Sequence, residues 1–271
     1  MSAKQVRLGG MALANGVLVH GPRHWACAVR TEDGELRLAS GVKPIRAADA
    51  RSRLARGPLR LAEIFALLPE VRRRLPEAAL PFQRPAVAGA MLGSAVAMRA
   101  VRRTRLSPLA QESVAAILAF GPAALALRGT SLAEYHGAEH ISIGSWEHGE
   151  PRTREHERCG SHLVGPLLVT TTIGSALAAR APARLRPLAR AAAGLGATAA
   201  AVETFSWMVA NQRHPLARVL ARPGRELQQR LVTAEPSEAQ IEVANAALAE
   251  CLRLESGDGG GDRAPEEAPA A

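Results

Sequence analysis

The sequence predicts a mainly α-helical, polytopic membrane protein of about four spans, with a small N-terminal antiparallel β meander and a C-terminal amphipathic helix. Three observations predict it. Short β-type runs alternate with turn residues up to about residue 40. Four Ala-rich apolar segments, separated by compact Arg-rich connections, fill residues 85–210. Soluble helical patterning resumes beyond them.

Within the first region, residues 1–44, Asn15-Gly16 stands between MALA and VLVH, a strong hairpin signal. WACAVR (Trp25–Arg30) supplies a further run, and Glu32-Asp33-Gly34 a second turn before ELRLAS. Residues 45–84 are Arg-rich with apolar positions at helical spacing, as in LAEIFALLPEVRRRL. They predict one or two amphipathic helices broken near Pro69. Such helices suit a membrane surface, with Arg stems snorkelling, or an ordinary solvated face.

The apolar segments are Pro85–Met98, Leu109–Leu127, Leu163–Ala179 and Ala191–Ala210. A span needs about 20 residues, with roughly 17 as the lower limit, so the first is short and the others reach the range. Their Ala content makes each only weakly hydrophobic, and buried helices of a soluble core are the alternative. The connections RAVRRTRLSP and RAPARLRPLAR favour the membrane, because basic residues stop at lipid headgroups. Four spans put the N-terminus, the motif-bearing loop 128–162 and the C-terminal region on one side. The Lys and Arg distribution makes that side the cytoplasm, so the expectation is a multi-pass cell-membrane protein with both termini cytoplasmic.

Residues 211–254 read as a cytoplasmic helical region. Ser237 and Gln240 form a capping-box pattern, and Ile241, Ala244, Leu248, Cys251 and Leu252 share one helical face. The Gly-, Pro- and acid-rich stretch 255–271 is expected to be disordered.

Composition narrows the partners. The net charge of +9 suits nucleic acid or an anionic membrane surface. At 3% aromatic residues, base-stacking platforms are not expected, and the basic residues gather beside apolar segments. The lipid bilayer is therefore the expected partner, with a membrane or peripheral protein as a further one, and nucleic acid is not. Cys27, Cys159 and Cys251 form no even-numbered framework, which points to a reducing compartment. No signal-peptide pattern is read at the start of the sequence.

The chemistry gathers in two motifs, YHGAEH (Tyr135–His140) and EHERCG (Glu155–Gly160). His136 and His140 are spaced to share a helix face, with Glu139 beside them. Two such imidazoles can bite one metal, while a neighbouring carboxylate acts as general base toward water. The literal pattern H-x-x-E-H is weak by itself, and Gly137 lowers its helix propensity. His156 and Cys159 add donors, and His162 completes H-x2-C-x2-H; thiolate plus imidazole is a zinc-type set. Glu203 lies inside the fourth apolar segment, where a carboxylate costs roughly 2.5–3.5 kcal/mol on insertion scales, so it is a candidate ligand or ligand orienter. Cys27 and Cys251 read as small buried apolar residues.

GGMALANGVLVHGP with WACAVR, then PFQR, YHGAEH, HERCGS and LQQRLVTAEPSEAQIEVANAAL follow in an order that resembles the YqhQ-like family, a domain of unknown function numbered 1385, from Gly9 to about Leu252. The resemblance implies a bacterial multi-pass membrane protein described as metal-dependent. It highlights His136, Glu139, His140, His156, Cys159, Glu203, Glu235, Gln240 and Glu242. Asn15 stands where the family usually has an acidic residue, HERCG replaces HPRCG, and the loop between the motifs is shorter.

Two function classes follow. In one, His136, His140, His156, Cys159 and Glu203 supply ligands for a divalent metal, most naturally zinc, and Glu139 is the general base of a hydrolase. In the other, the same cluster is structural and the protein is a membrane scaffold or partner-binding protein. Ligand count separates them, since a closed shell of four is structural and an open position is catalytic.

Overall fold

The β-type runs form four antiparallel strands paired in chain order: β1 (Gly9–Leu13), β2 (Gly16–His20), β3 (His24–Arg30) and β4 (Leu36–Val42). The computed structural model describes residues 6–46, 53–80, 83–127, 130–257 and 266–267. Leu13 pairs with Gly16, so the first turn consists of Ala14 and Asn15 rather than the Asn15-Gly16 dipeptide. Gly16 is required for another reason, because a Cβ there would strike the Ala28 carbonyl on the neighbouring strand. Asn15 fastens the turn: its Nδ2 donates to the carbonyls of Arg30 (3.1 Å) and Glu77 (3.0 Å), and its Oδ1 accepts from the Ala79 amide (2.9 Å). In the second turn Gly34 takes a left-handed φ of 84°, which favours glycine.

Both faces of this sheet are buried, which explains why the strands read as near-continuous apolar runs. Val17, Val19, Ala26 and Ala28 pack with α8 (Glu238–Glu255) and α4 (Ser131–His148). Leu13, Leu18, Trp25 and Val29 pack against Leu67 and Val71 of α1 (Arg53–Arg74). Each large side chain so buried contributes about 1.5–3 kcal/mol. That packing corrects the expected break near Pro69: α1 runs through it, since the contacts on both sides outweigh a proline penalty of about 3 kcal/mol. A two-residue strand, β5 (Glu266–Glu267), pairs with β4; the remainder of the tail beyond Gly257 lies outside the described residues.

The capping box forms at Ser237 and Gln240, starting α8. At its other end Glu255 accepts from the amides of Arg23 and His24, both at 2.7 Å, locking α8 to the β2–β3 turn.

The apolar segments become α2 (Pro85–Val101), α3 (Pro108–Leu127), α5 (Val164–Ala179) and α6 (Arg186–Ala210), packed as α2 on α3, α3 on α5 and α5 on α6. Small residues let α5 and α6 approach: Gly174 faces the Ala193 carbonyl, and Thr170 donates to the Ala197 carbonyl at 2.9 Å. Glu112 is buried near the start of α3, paired with Arg102 at 2.8 Å and accepting from Ser175 at 2.6 Å. By contrast Leu92, Val96, Ile117, Ile173, Leu188 and Leu195 point outward, uncovered by the chain.

Leu109–Leu127 and Gly160–Ala179 are long and apolar enough to cross a bilayer, and only 18% and 22% of them are buried. The apolar helix α2 is shorter, at 17 residues. Gly, Thr, Ser and Glu203 dilute the 25-residue α6, which is not among these candidates. Among the described residues, length and apolarity thus single out two helices. Between them, the stretch expected as a loop carries α4, and α7 (Pro215–Leu227) follows α6.

Candidate metal centre

YHGAEH lies wholly within α4, so His136, Glu139 and His140 project from one side of a single helix. Gly137 is tolerated there because a chain segment crosses it. A Cβ would collide with the Ala234 carbonyl, and the Ala234 amide donates to the Ala133 carbonyl at 2.9 Å. The crossing delivers the Val232 carbonyl to Nδ1 of His136 at 2.8 Å. Nδ1 of His140 meets the Arg154 carbonyl at 2.6 Å. A carbonyl only accepts, so both Nδ1 atoms carry a proton, and Nε2 is the nitrogen each ring turns toward the cluster. Ligating histidines are held in this way, by a hydrogen bond from the other ring nitrogen.

One ligand atom each from His136, His140 and Cys159 lies within 4.8 Å of the other two. Nε2 of His136 is 3.6 Å from Sγ of Cys159. Zinc bonds of about 2.05 Å to nitrogen and 2.3 Å to sulfur, at a tetrahedral angle, separate the two atoms by about 3.6 Å. The donor set and its spacing therefore fit zinc. Glu139 is buried, with Oε2 3.7 Å from Nε2 of His136. Strand β1 crosses directly above this carboxylate, and Gly10 makes room for it.

Burial opposes charge on both His136 and Cys159, yet the pair overcomes it. His136 is raised to about 9 by its hydrogen bond to Cys159, the Cys159 and Glu139 charges and the Val232 carbonyl. Burial likewise raises the Cys159 thiol, but hydrogen bonds and charge from His136 and His140 hold it well below the ordinary range. A thiolate is the form that binds metal. Cys27 and Cys251 are the opposite case: burial pushes the first up, and burial with Glu255 takes the second to about 12.

The remaining candidates are placed elsewhere. His156 is buried with its ring centre 5.5 Å from that of His140, but its Nε2 meets Glu147 Oε2 at 3.1 Å. Glu147 also pairs with Arg158. His162 is buried, with Nδ1 3.0 Å from the Gln228 amide. Glu203 is exposed on α6 and is not grouped with the three donors. Gln240 donates to Glu134 at 2.7 Å, Glu242 pairs with Arg30 at 2.5 Å and Glu235 with Arg154 at 3.8 Å, so these three brace the region around the cluster.

Sequence reasoning missed two supports. Glu147 follows His140 by two helical turns on the same face, a spacing that could have flagged it. Gln228 had no such signal; it is fully buried in a single π-helical turn, accepting from the His156 amide at 2.9 Å and donating to the His156 carbonyl at 3.1 Å.

Comparison with known proteins locates the likeness. Residues 130–254 match a family described as "Protein of unknown function (DUF1385)". That range holds α4 to α8 and all three donors, and leaves the sheet outside. Over 131 residues the chain is 32% identical to the "Uncharacterized protein YqhQ" of Bacillus subtilis (strain 168), covering 45% of this chain and 41% of that protein. No solved structure matches. Across the helical region that carries the donor cluster, this chain is similar to the YqhQ-like family.

Proposed function

We propose that this protein is an integral membrane member of the YqhQ-like family, with a zinc-dependent hydrolytic centre at the membrane boundary. The observation that supports it best is the number of converging donors. His136, His140 and Cys159 come together, whereas His156 is engaged by Glu147, so three ligands leave a position open. Zinc held by this set would supply a Lewis acid and a water acidified to near neutrality. Val232 and Arg154 fix the two imidazoles through their carbonyls, and Cys159 contributes the thiolate. Glu139 accepts the proton from the attacking water, its carboxylate held between α4 and β1. Peptide, ester or amide bonds near the bilayer are the substrate class.

The membrane part of this reading takes α2, α3, α5 and α6 as four spans. All four present uncovered Leu, Val or Ile residues, the kind of surface that marks an interaction site or a lipid contact. An even number of crossings leaves the sheet, α4 and α7–α8 on one side, the cytoplasm.

One observation favours a non-catalytic role: the cluster ties α4 to the segments at Arg154–Cys159 and Val232, as a structural pin would. Elemental analysis of detergent-purified protein, with hydrolysis assayed on ester, amide and peptide substrates in lipid discs, separates the two. The hydrolase reading expects about one zinc per chain, retained in Glu139→Gln while turnover is lost. If only His140→Ala is harmful, the centre is structural; if protein supplied with zinc during purification holds no metal, the site as drawn is wrong.

A further inference from the structure

A groove of about 510 Å³ opens between the C-terminal part of α6, α7 and residues 152–157. Its walls carry apolar side chains, cations and the carboxylates of Glu155 and Glu157, which are engaged by Gln229 and Arg152. Phe205, Met208 and Val209 of α6 line one side, while Arg218 and Arg225 of α7 line the other. Arg152 also lines it, but is engaged by Glu157 at 2.9 Å. Among the described residues, Arg218 and Arg225 have no carboxylate partner.

The α7 sequence explains the arrangement. Arg218 and Arg225 are two helical turns apart and share a face, with the small Ala217 and Ala221 leaving space beside them. Gly224 docks α7 on the backbone of His162, since a Cβ there would collide with it. Leu216 and Val219, on the opposite flank, are each 53% exposed. A short helix with cationic and uncovered apolar flanks, following an apolar bundle helix, belongs at a lipid–water boundary. The groove thus offers hydrocarbon contact on its α6 side and two unpaired guanidinium groups at headgroup level. Guanidinium groups favour phosphate through paired, charge-assisted hydrogen bonds.

We infer that this groove binds an anionic membrane phospholipid, its phosphate against Arg218 and Arg225 and an acyl chain along Phe205, Met208 and Val209. The inference rests on the membrane reading above and is independent of metal. His156 forms part of the groove wall with its ring 5.5 Å from that of His140, so the bound lipid sits next to the donor cluster.

The test titrates the full-length protein, in nonionic detergent, with fluorescent phosphatidylglycerol, phosphatidylcholine and inorganic phosphate. Phosphatidylglycerol is expected to bind about tenfold tighter than phosphatidylcholine, and the combined R218Q and R225Q substitutions to remove that preference. R222Q, on an exposed part of α7 outside the groove, is expected to bind as wild type does. V209W fills the apolar wall without touching charge and is expected to weaken binding several-fold, which keeps the test informative if the double Arg variant fails to fold. Equal binding of both lipids, equal loss in R222Q, unaltered binding in V209W, or displacement by inorganic phosphate at the lipid's own concentration would overturn the inference. Wild-type protein that shows no lipid preference yet retains zinc removes this inference and leaves the metal centre standing.

Discussion

Nε2 of His136 lies 3.6 Å from Sγ of Cys159, across 23 residues of chain, and His140 closes the group of three donors. His136→Ala, His140→Ala and Cys159→Ser are each expected to lose zinc on dialysis. His156→Ala and Glu203→Gln are expected to keep it, because Glu147 occupies the first and the second is exposed on α6. Metal content by elemental analysis decides, and a metal-free His156→Ala that remains folded would show that four ligands, not three, form the shell.

The same pair sets a pH dependence in chelator-treated protein. His136 is raised from 6.5 to about 9, so its stabilisation is full below pH 6.5 and is lost as pH rises through 9. Cys159 is held well below 9.0, so its stabilisation is present above pH 9 and is lost as pH falls through the lowered value. Between 6.5 and 9 the two slopes cancel, since folded and unfolded chains bind the same number of protons at this pair. The melting-temperature difference between wild type and Cys159→Ser should therefore plateau across that window and shrink on both sides. A steady slope through the window would contradict the pairing.

Gly137→Ala and Gly89→Ala make the same chemical change with opposite expected results. At Gly137 the new methyl meets the Ala234 carbonyl and should cost about 1–3 kcal/mol, with weaker zinc binding because Val232 moves from His136. At Gly89 nothing lies within 4 Å, so alanine should be neutral or stabilising by up to about 1 kcal/mol. Thermal unfolding in detergent measures both, and equal effects would contradict the crossing of α4 by the 232–236 segment.

Gln228→Leu leaves the amide and carbonyl of His156 without their partner in a buried setting. The expected cost is about 1–3 kcal/mol for each unsatisfied group, read from the denaturation midpoint. Gln229→Leu, on an exposed position whose partner is Glu155 at 3.0 Å, should fall within about 0.5 kcal/mol of wild type. Similar losses for both would show that Gln228 is no special support.

Much of this was legible because the signals were local. Short apolar runs bounded by turn residues gave the four strands, although the turn fell on Ala14-Asn15 because the register of β1 on β2 set it. Helical spacing gave His136, Glu139 and His140 a common side, and Ser237 with Gln240 marked the start of α8. Pro69 misled because a local penalty is smaller than burial on both sides of it. The apolar segments were visible, but Ala-rich composition sits near the threshold for a span, so residue type alone could not decide between two and four.

The sequence by itself determined the donor types, their grouping into two motifs and the separation of apolar helices from a β sheet. Only the tertiary structure decided which donors meet. His136 is oriented by Val232, 96 residues away, and His156 is anchored by Gln228, 72 residues away. The competition for His156 was won by Glu147, and Glu203 was turned outward on α6. Spacing along a chain constrains which side chains share one helix face; the coordination available to a metal depends on contacts between elements, and those are fixed when the packed backbone brings distant carbonyls and carboxylates to each ring.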